Sequence, residues 1–287
     1  MTTTFTLGDL TIHRIIEDER PFAPIRSFLP TLSAELLDEN RHWLEPQALE
    51  PGTDKVVMCF QSHVVRTPHH TVLVDTCLGN HKEISRFPWW SGKEDTRYVD
   101  GLASVGLGVE DIDVVVCTHL HFDHVGWNTR LENGRWVPTF PRARYLFGRD
   151  ELDFWTRRAA DTPNPALAQS VLPVVEANRA TLVDTDHVVD DHLRLFATPG
   201  HTPNHCSVML GEGDAVITGD AIHTPLQARY PALSISADLD PAQAADTRRR
   251  LLETLCDTRT LCCTVHFPSP STGRIRRWGD GFRCEPV

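Results

Sequence analysis

No run of the 287-residue chain approaches the roughly 20 consecutive apolar residues that a membrane-spanning helix needs, and Met1–Asp9 has neither a basic nor an apolar run of signal-peptide kind. The eight cysteines form no Cys-x-x-Cys pair and no disulfide framework, so neither a thiolate zinc knuckle nor a stapled secreted scaffold is expected. Basic side chains are in deficit: 28 Lys and Arg face 39 Asp and Glu, a net charge of −11. That balance argues against a nucleic-acid partner, which relies on clustered cations. The one basic cluster, Arg274, Arg276 and Arg277 with Arg283, is short and reads as solvated surface. A cytoplasmic protein with no membrane partner is the expectation.

What the chain does have is metal-binding side chains at the ends of short apolar runs. Ile112–Cys117 leads into Thr118-His119-Leu120-His121-Phe122-Asp123-His124, and Leu193–Ala197 leads through Thr198-Pro199-Gly200 to His201. Asp220 follows Ala215–Gly219, and His266 follows Leu261–Val265. A strand delivers its last residue to one edge of a sheet, so four such runs can bring their tips together. Five imidazoles and two carboxylates make a donor set for two divalent cations. Nitrogen and oxygen ligands without thiolate suit Zn²⁺, with Mn²⁺, Co²⁺ and Fe²⁺ also compatible.

Strand-like and helix-like segments alternate along both halves. Residues 4–16 read as an opening strand and the prolines between 20 and 30 as a break. Ser33–Trp43 reads as a helix capped by Ser33, and Val56–Arg66 with Thr71–Val74 as a hairpin. Helical spacing recurs over Thr96–Leu107, about 150–158, Pro163–Ala180 and Pro241–Asp257, the last with Pro241 in its first turn. This pattern predicts an α/β sandwich with sheets buried between helical layers. No linker is visible, so residues 1–287 are expected to form a single domain. The segment of about 17–55 is an extension that caps one sheet edge or reaches across a homodimer.

His119-Leu-His121-Phe-Asp123-His124, Thr198-Pro-Gly-His201, Gly219-Asp220 and His266 jointly resemble the metallo-β-lactamase superfamily over about residues 56–268. The resemblance implies an αββα four-layer sandwich with a two-metal site. It assigns His119, His121 and His201 to one metal and Asp123, His124 and His266 to the other, with Asp220 bridging. A hydroxide shared by two such cations, its pKa lowered towards ~7, is the implied nucleophile, and Asp123 is expected to assist proton transfer to the leaving alkoxide. Asp75 stands where the superfamily has a carboxylate supporting the ligands, though a strand-ending turn also accounts for it. His205, four residues after His201, reads as structural or as support for a ligand.

Within the superfamily, the ligand set most resembles the N-acyl homoserine lactonases and the methyl parathion hydrolase group. The expected substrate is therefore a small-molecule lactone or related carboxylic ester, with phosphotriester or thioester hydrolysis as the alternatives. Many lactonases have a Tyr three residues beyond the bridging Asp, where this chain has His223. An imidazole there either hydrogen-bonds substrate as that phenol does or lines the cleft wall. Trp89, Trp90, Trp127, Trp136 and Phe140 flank the ligand cluster in sequence and are the candidates for an apolar substrate pocket, with loop packing as the other reading.

Overall fold

The computed structural model describes residues 3–287; Met1 and Thr2, part of the expected 1–287 domain, lie outside the described residues. The chain forms two compact units, Met1–Glu17 with Phe60–Asp184 and Asp18–Cys59 with Thr185–Val287.

In the first unit, short runs made mostly of apolar residues build a central parallel sheet. Thr71–Val74 pairs in parallel with Val114–Val116, that strand with Arg144–Gly148, and Arg144–Gly148 with Ala180–Val183. All three residues of Val114–Val116 are buried, as expected of a strand covered on both faces. The hairpin expected across residues 67–70 is present, with Arg66 opposite Thr71. Tyr98 and Leu102 on the helix Arg97–Ser104, and Leu152 and Trp155 on Arg149–Ala159, join the sheet in one core.

The second unit has a sheet of seven strands, ordered along the chain from Val188–Asp190 to Gly281–Pro286. Its one parallel pair, Ala215–Ile217 with Leu261–Cys263, is crossed by the helix Pro241–Leu255. Asp240 caps that helix by accepting the Gln243 N–H at 3.0 Å, and Leu251, Leu252 and Leu255 pack into the core beneath it. Ser33 caps Ala34–Leu44 in the same way, accepting from the Leu36 N–H. Ile25, Phe28, Leu29, Leu32 and Leu37 of the N-terminal extension are buried.

Three expectations need correction. The opening strand is two strands, Thr3–Leu7 and Leu10–Pro24, because Gly8 turns the chain at φ +56°. Pro21 and Pro24 do not break the second of these: its final stretch is only part-covered, and there proline's missing donor is tolerated. The expected helix over 163–180 is interrupted, a π turn at Leu167–Val171 leading into Leu172–Glu176, where Pro173 supplies no N–H to continue the ladder.

Two glycines are required by the loops that carry the candidate ligands. Thr76 and Gly126 donate to the carbonyls of His124 and Cys77, at 2.8 and 2.7 Å, drawing two loops into backbone contact. A Cβ on Gly126 would fall 2.0 Å from the Leu78 carbonyl. Gly200, at φ +127°, lies against the helix Pro241–Leu255, where a Cβ would meet the Ala244 nitrogen at 2.2 Å. Gly126→Ala is expected to lower stability by at least about 1–3 kcal/mol, since backbone must move to admit the methyl; urea unfolding of the metal-free protein measures it.

Candidate metal centre

In the first unit Thr118 stands two residues beyond the strand Val114–Val116, and its N–H donates to Asp75 Oδ1 at 2.8 Å. Asp75 ends the neighbouring strand in a left-handed conformation, φ +57°, and is fully buried. Its Oδ2 accepts the Nδ1–H of His124 at 2.8 Å, and both its oxygens lie within 3.1 Å of the Thr118 hydroxyl. With that hydroxyl donating to Asp75, Thr118 Oγ1 accepts the Nδ1–H of His119 at 3.1 Å. Both imidazoles are thereby fixed as the tautomer that leaves Nε2 with a lone pair. His119 Nε2 faces His121 Nδ1 at 3.0 Å, and the His119 and His124 rings lie 4.1 Å apart. Asp123 Oδ2 is 4.0 Å from His124 Nε2. One short loop thus supplies three imidazoles and a carboxylate.

The second unit repeats the device. His201 Nδ1 donates to Asp238 Oδ1 at 2.9 Å, and His266 Nδ1 donates to the Cys59 carbonyl at 2.9 Å. Their Nε2 atoms each lie 3.1 Å from a carboxylate oxygen of Asp220. Asp220 is held by its own N–H, which donates to His205 Nε2 at 2.8 Å, while His205 Nδ1 donates to the Thr198 carbonyl at 3.0 Å. His205 Nδ1 also lies 2.8 Å from the Thr198 hydroxyl, so both its nitrogens are engaged within the second unit. Burial works to deprotonate His201, but Asp220 and Asp238 outweigh it and raise its pKa to about 9. Two buried carboxylates around one imidazole favour a cation among them.

His223 breaks the pattern. Its Nε2 is also 3.1 Å from Asp220 Oδ2, and its ring stacks on His266 at 5.4 Å. Its Nδ1, however, has no hydrogen-bond partner among the described residues. Burial lowers its pKa to about 4, more than Asp220 restores, so the ring is neutral. Phe28, from the extension, meets it edge-on at 6.0 Å. Ligand atoms of Asp220, His223 and His266 all lie within 4.8 Å of one another, close enough to hold an ion.

The aromatic candidates divide. Trp127 and Phe140 belong to the core of the first unit, and the expectation that they line a substrate pocket is corrected. The Trp127 indole stacks on Tyr98 at 5.3 Å and donates to Glu17 at 2.7 Å, so its face and its N–H are taken. Phe140 is fully buried beside Tyr145. Trp136 sits in the strand Arg135–Pro138 with the Lys82 ammonium 3.5 Å from its ring centre. Trp90 is buried against Phe60 and Phe87, whereas Trp89 is half exposed. Reasoning from sequence missed Asp238, Arg248 and Gln227. Asp238 carries no motif. Arg248 alone gave a signal, as an arginine on the apolar face of a helix.

The sequence profile of the metallo-β-lactamase superfamily matches residues 61–265. The chain belongs to that superfamily. It is similar to an N-acyl homoserine lactonase of Bacillus thuringiensis, 25% identical over 221 residues that cover 72% of this chain and 80% of that protein. Among solved structures, it is similar to AidC, a dizinc quorum-quenching lactonase in complex with a homoserine product, with a TM-score of 0.80 at 21% identity, covering all of this chain and 97% of that one. The hydrolase AbOPH of the β-lactamase superfamily gives 0.83 at 22% identity, with the same coverage. These likenesses establish the metallo-β-lactamase fold expected from the motifs.

Asp75→Ala would leave the Thr118 amide and the His124 Nδ1–H buried without their acceptor. Each orphaned group costs about 1–3 kcal/mol, so a loss of at least about 2 kcal/mol is expected in chemical denaturation of metal-free protein. Asp75→Asn, which keeps one acceptor oxygen, should lose less.

Proposed function

We propose that this chain is a dinuclear metal-dependent hydrolase that opens a lactone or cleaves a related carboxylic ester. His119, His121, Asp123, His124, His201, Asp220 and His266 are the ligands of two zinc ions, divided as the family resemblance implies. The observation that carries this reading is shared by four of these imidazoles: an oxygen acceptor holds Nδ1, so that Nε2 is the nitrogen turned towards the other candidate ligands. The lactonase relatives and the homoserine product bound in AidC supply the substrate class. Eight cysteines without the spacing of a disulfide framework support a reducing, cytoplasmic setting.

Bound there, the ions would supply a water of lowered pKa and polarisation of the substrate carbonyl. The protein's own groups do the rest. Asp123, the least buried of the carboxylates at 12% side-chain exposure, takes the proton released on attack and returns it to the leaving alkoxide. His223 is neutral and carries its proton on Nε2, towards Asp220 Oδ2 at 3.1 Å, so its Nδ1 offers the substrate a hydrogen-bond acceptor. It stands at the position where many lactonases have a tyrosine, with an acceptor in place of a donor. Gln227 Oε1 accepts the His223 N–H at 2.9 Å and fixes the backbone from which the ring projects.

Metal analysis and a substrate panel test the reading. Purified protein should carry two equivalents of divalent metal, lose turnover to a strong chelator, and regain it with zinc. Lactones should be opened to a single acid product; turnover confined to thioesters or phosphotriesters would sink the lactonase assignment. His223→Phe should lower kcat/KM by about 10-fold for a lactone that carries an amide N–H, the effect of losing one hydrogen-bond acceptor for substrate, with metal content unchanged. A fall in metal content would make His223 a ligand instead. Asp123→Asn that kept full metal and full turnover would remove Asp123 from proton transfer.

A further inference from the structure

A buried arginine stands behind the ligands of the second unit. Arg248 lies on the inner face of Pro241–Leu255 and is fully buried. Its Nε donates to the Ala221 carbonyl at 2.9 Å, and its Nη1 to the carbonyls of Pro231 and Leu233, at 2.8 and 2.7 Å. Its Nη2 is 3.5 Å from Asp238 Oδ2, the far side of the carboxylate that holds His201. Ala221 directly follows Asp220. The Leu233 carbonyl is also the acceptor for Gln227 Nε2 at 2.9 Å, and Gln227 in turn holds the His223 backbone. One guanidinium therefore reaches the segment carrying Asp220 and His223 along one arm, and the acceptor of His201 along another.

A charge so placed is costly to bury, and apolar side chains of the same volume often serve stability as well or better. Three neutral carbonyls and one carboxylate are a set that only a planar fork of fixed donors can engage together. A lysine offers one compact charge and cannot span them.

We propose that Arg248 is a positioning residue of the metal centre, setting the orientation of His201 through Asp238 and the path of the Asp220–His223 segment through the Ala221 carbonyl. The inference rests on the reading of His201 and Asp220 as metal ligands.

The test is metal affinity and ligand geometry in apo protein, measured below the unfolding midpoint of each variant. Zinc is titrated against a chromophoric chelator, and the d–d bands of the cobalt-substituted protein are recorded. Arg248→Met and Arg248→Lys should each weaken zinc binding by about 10–100-fold, the usual effect of losing support behind a ligand, and should shift the cobalt bands. Asp238→Asn should weaken binding too, and the double variant Arg248→Met with Asp238→Asn should lose less than the product of the two single effects. If Arg248→Met does not fold, Arg248→Lys and Asp238→Asn carry the comparison. Folded Arg248 variants with wild-type zinc affinity and unshifted cobalt bands would make Arg248 a purely structural residue and overturn the proposal. Wild-type protein that takes up no zinc or cobalt would instead remove the metal-centre reading, and this inference with it.

Discussion

The hydrogen bond from an imidazole Nδ1–H to an oxygen is the interaction on which the rest of this molecule depends. It occurs at His119 with Thr118, His124 with Asp75, His201 with Asp238 and His266 with the Cys59 carbonyl. Each bond fixes a tautomer and a ring plane at once, so that a lone pair is presented without the entropy of a rotating side chain. The fold supplies the acceptors cheaply, since strand ends and loops place carboxylates and carbonyls where the chain leaves a sheet. His223 has no such acceptor for Nδ1 among the described residues, which sets it apart from these four.

Both units bury charge in support of these bonds. In the first, Glu17 accepts the Leu78 N–H and the Trp127 indole N–H and pairs with Lys93 at 2.6 Å, joining the loop after Asp75 to the turn after His124. Burial still raises the pKa of Glu17 against those partners. In the second, Arg248 and Asp238 play the corresponding part. Charged groups in such positions are poor sources of stability, because desolvation takes back most of what pairing returns. Their use here lies in direction: each joins two loops that must hold a fixed geometry.

The candidate ligands and the family were legible because their signal is local. A short apolar run followed by a metal-binding residue needs only the neighbouring sequence to be seen, and the joint pattern of four such runs is specific. The supporting residues are not local. Asp238 serves a histidine 37 positions away in sequence, and nothing in its surroundings marks it. Arg248 stands in a run of three arginines, of which only helical periodicity separates the buried one from its exposed neighbours. Trp127 and Phe140 were misread because nearness to a motif says nothing about whether a ring's faces are already covered. The break at Pro173 was equally hidden, since proline is tolerated in the first turn of a helix and interrupts one elsewhere.

The four acceptors differ in kind. Those of His119, His124 and His201 are side chains, which a single nucleotide change can delete. The acceptor of His266 is the peptide oxygen of Cys59, present whatever amino acid occupies that position. Genetic drift can thus erode three of the anchors one codon at a time, whereas the fourth is lost only when the main chain itself takes another course.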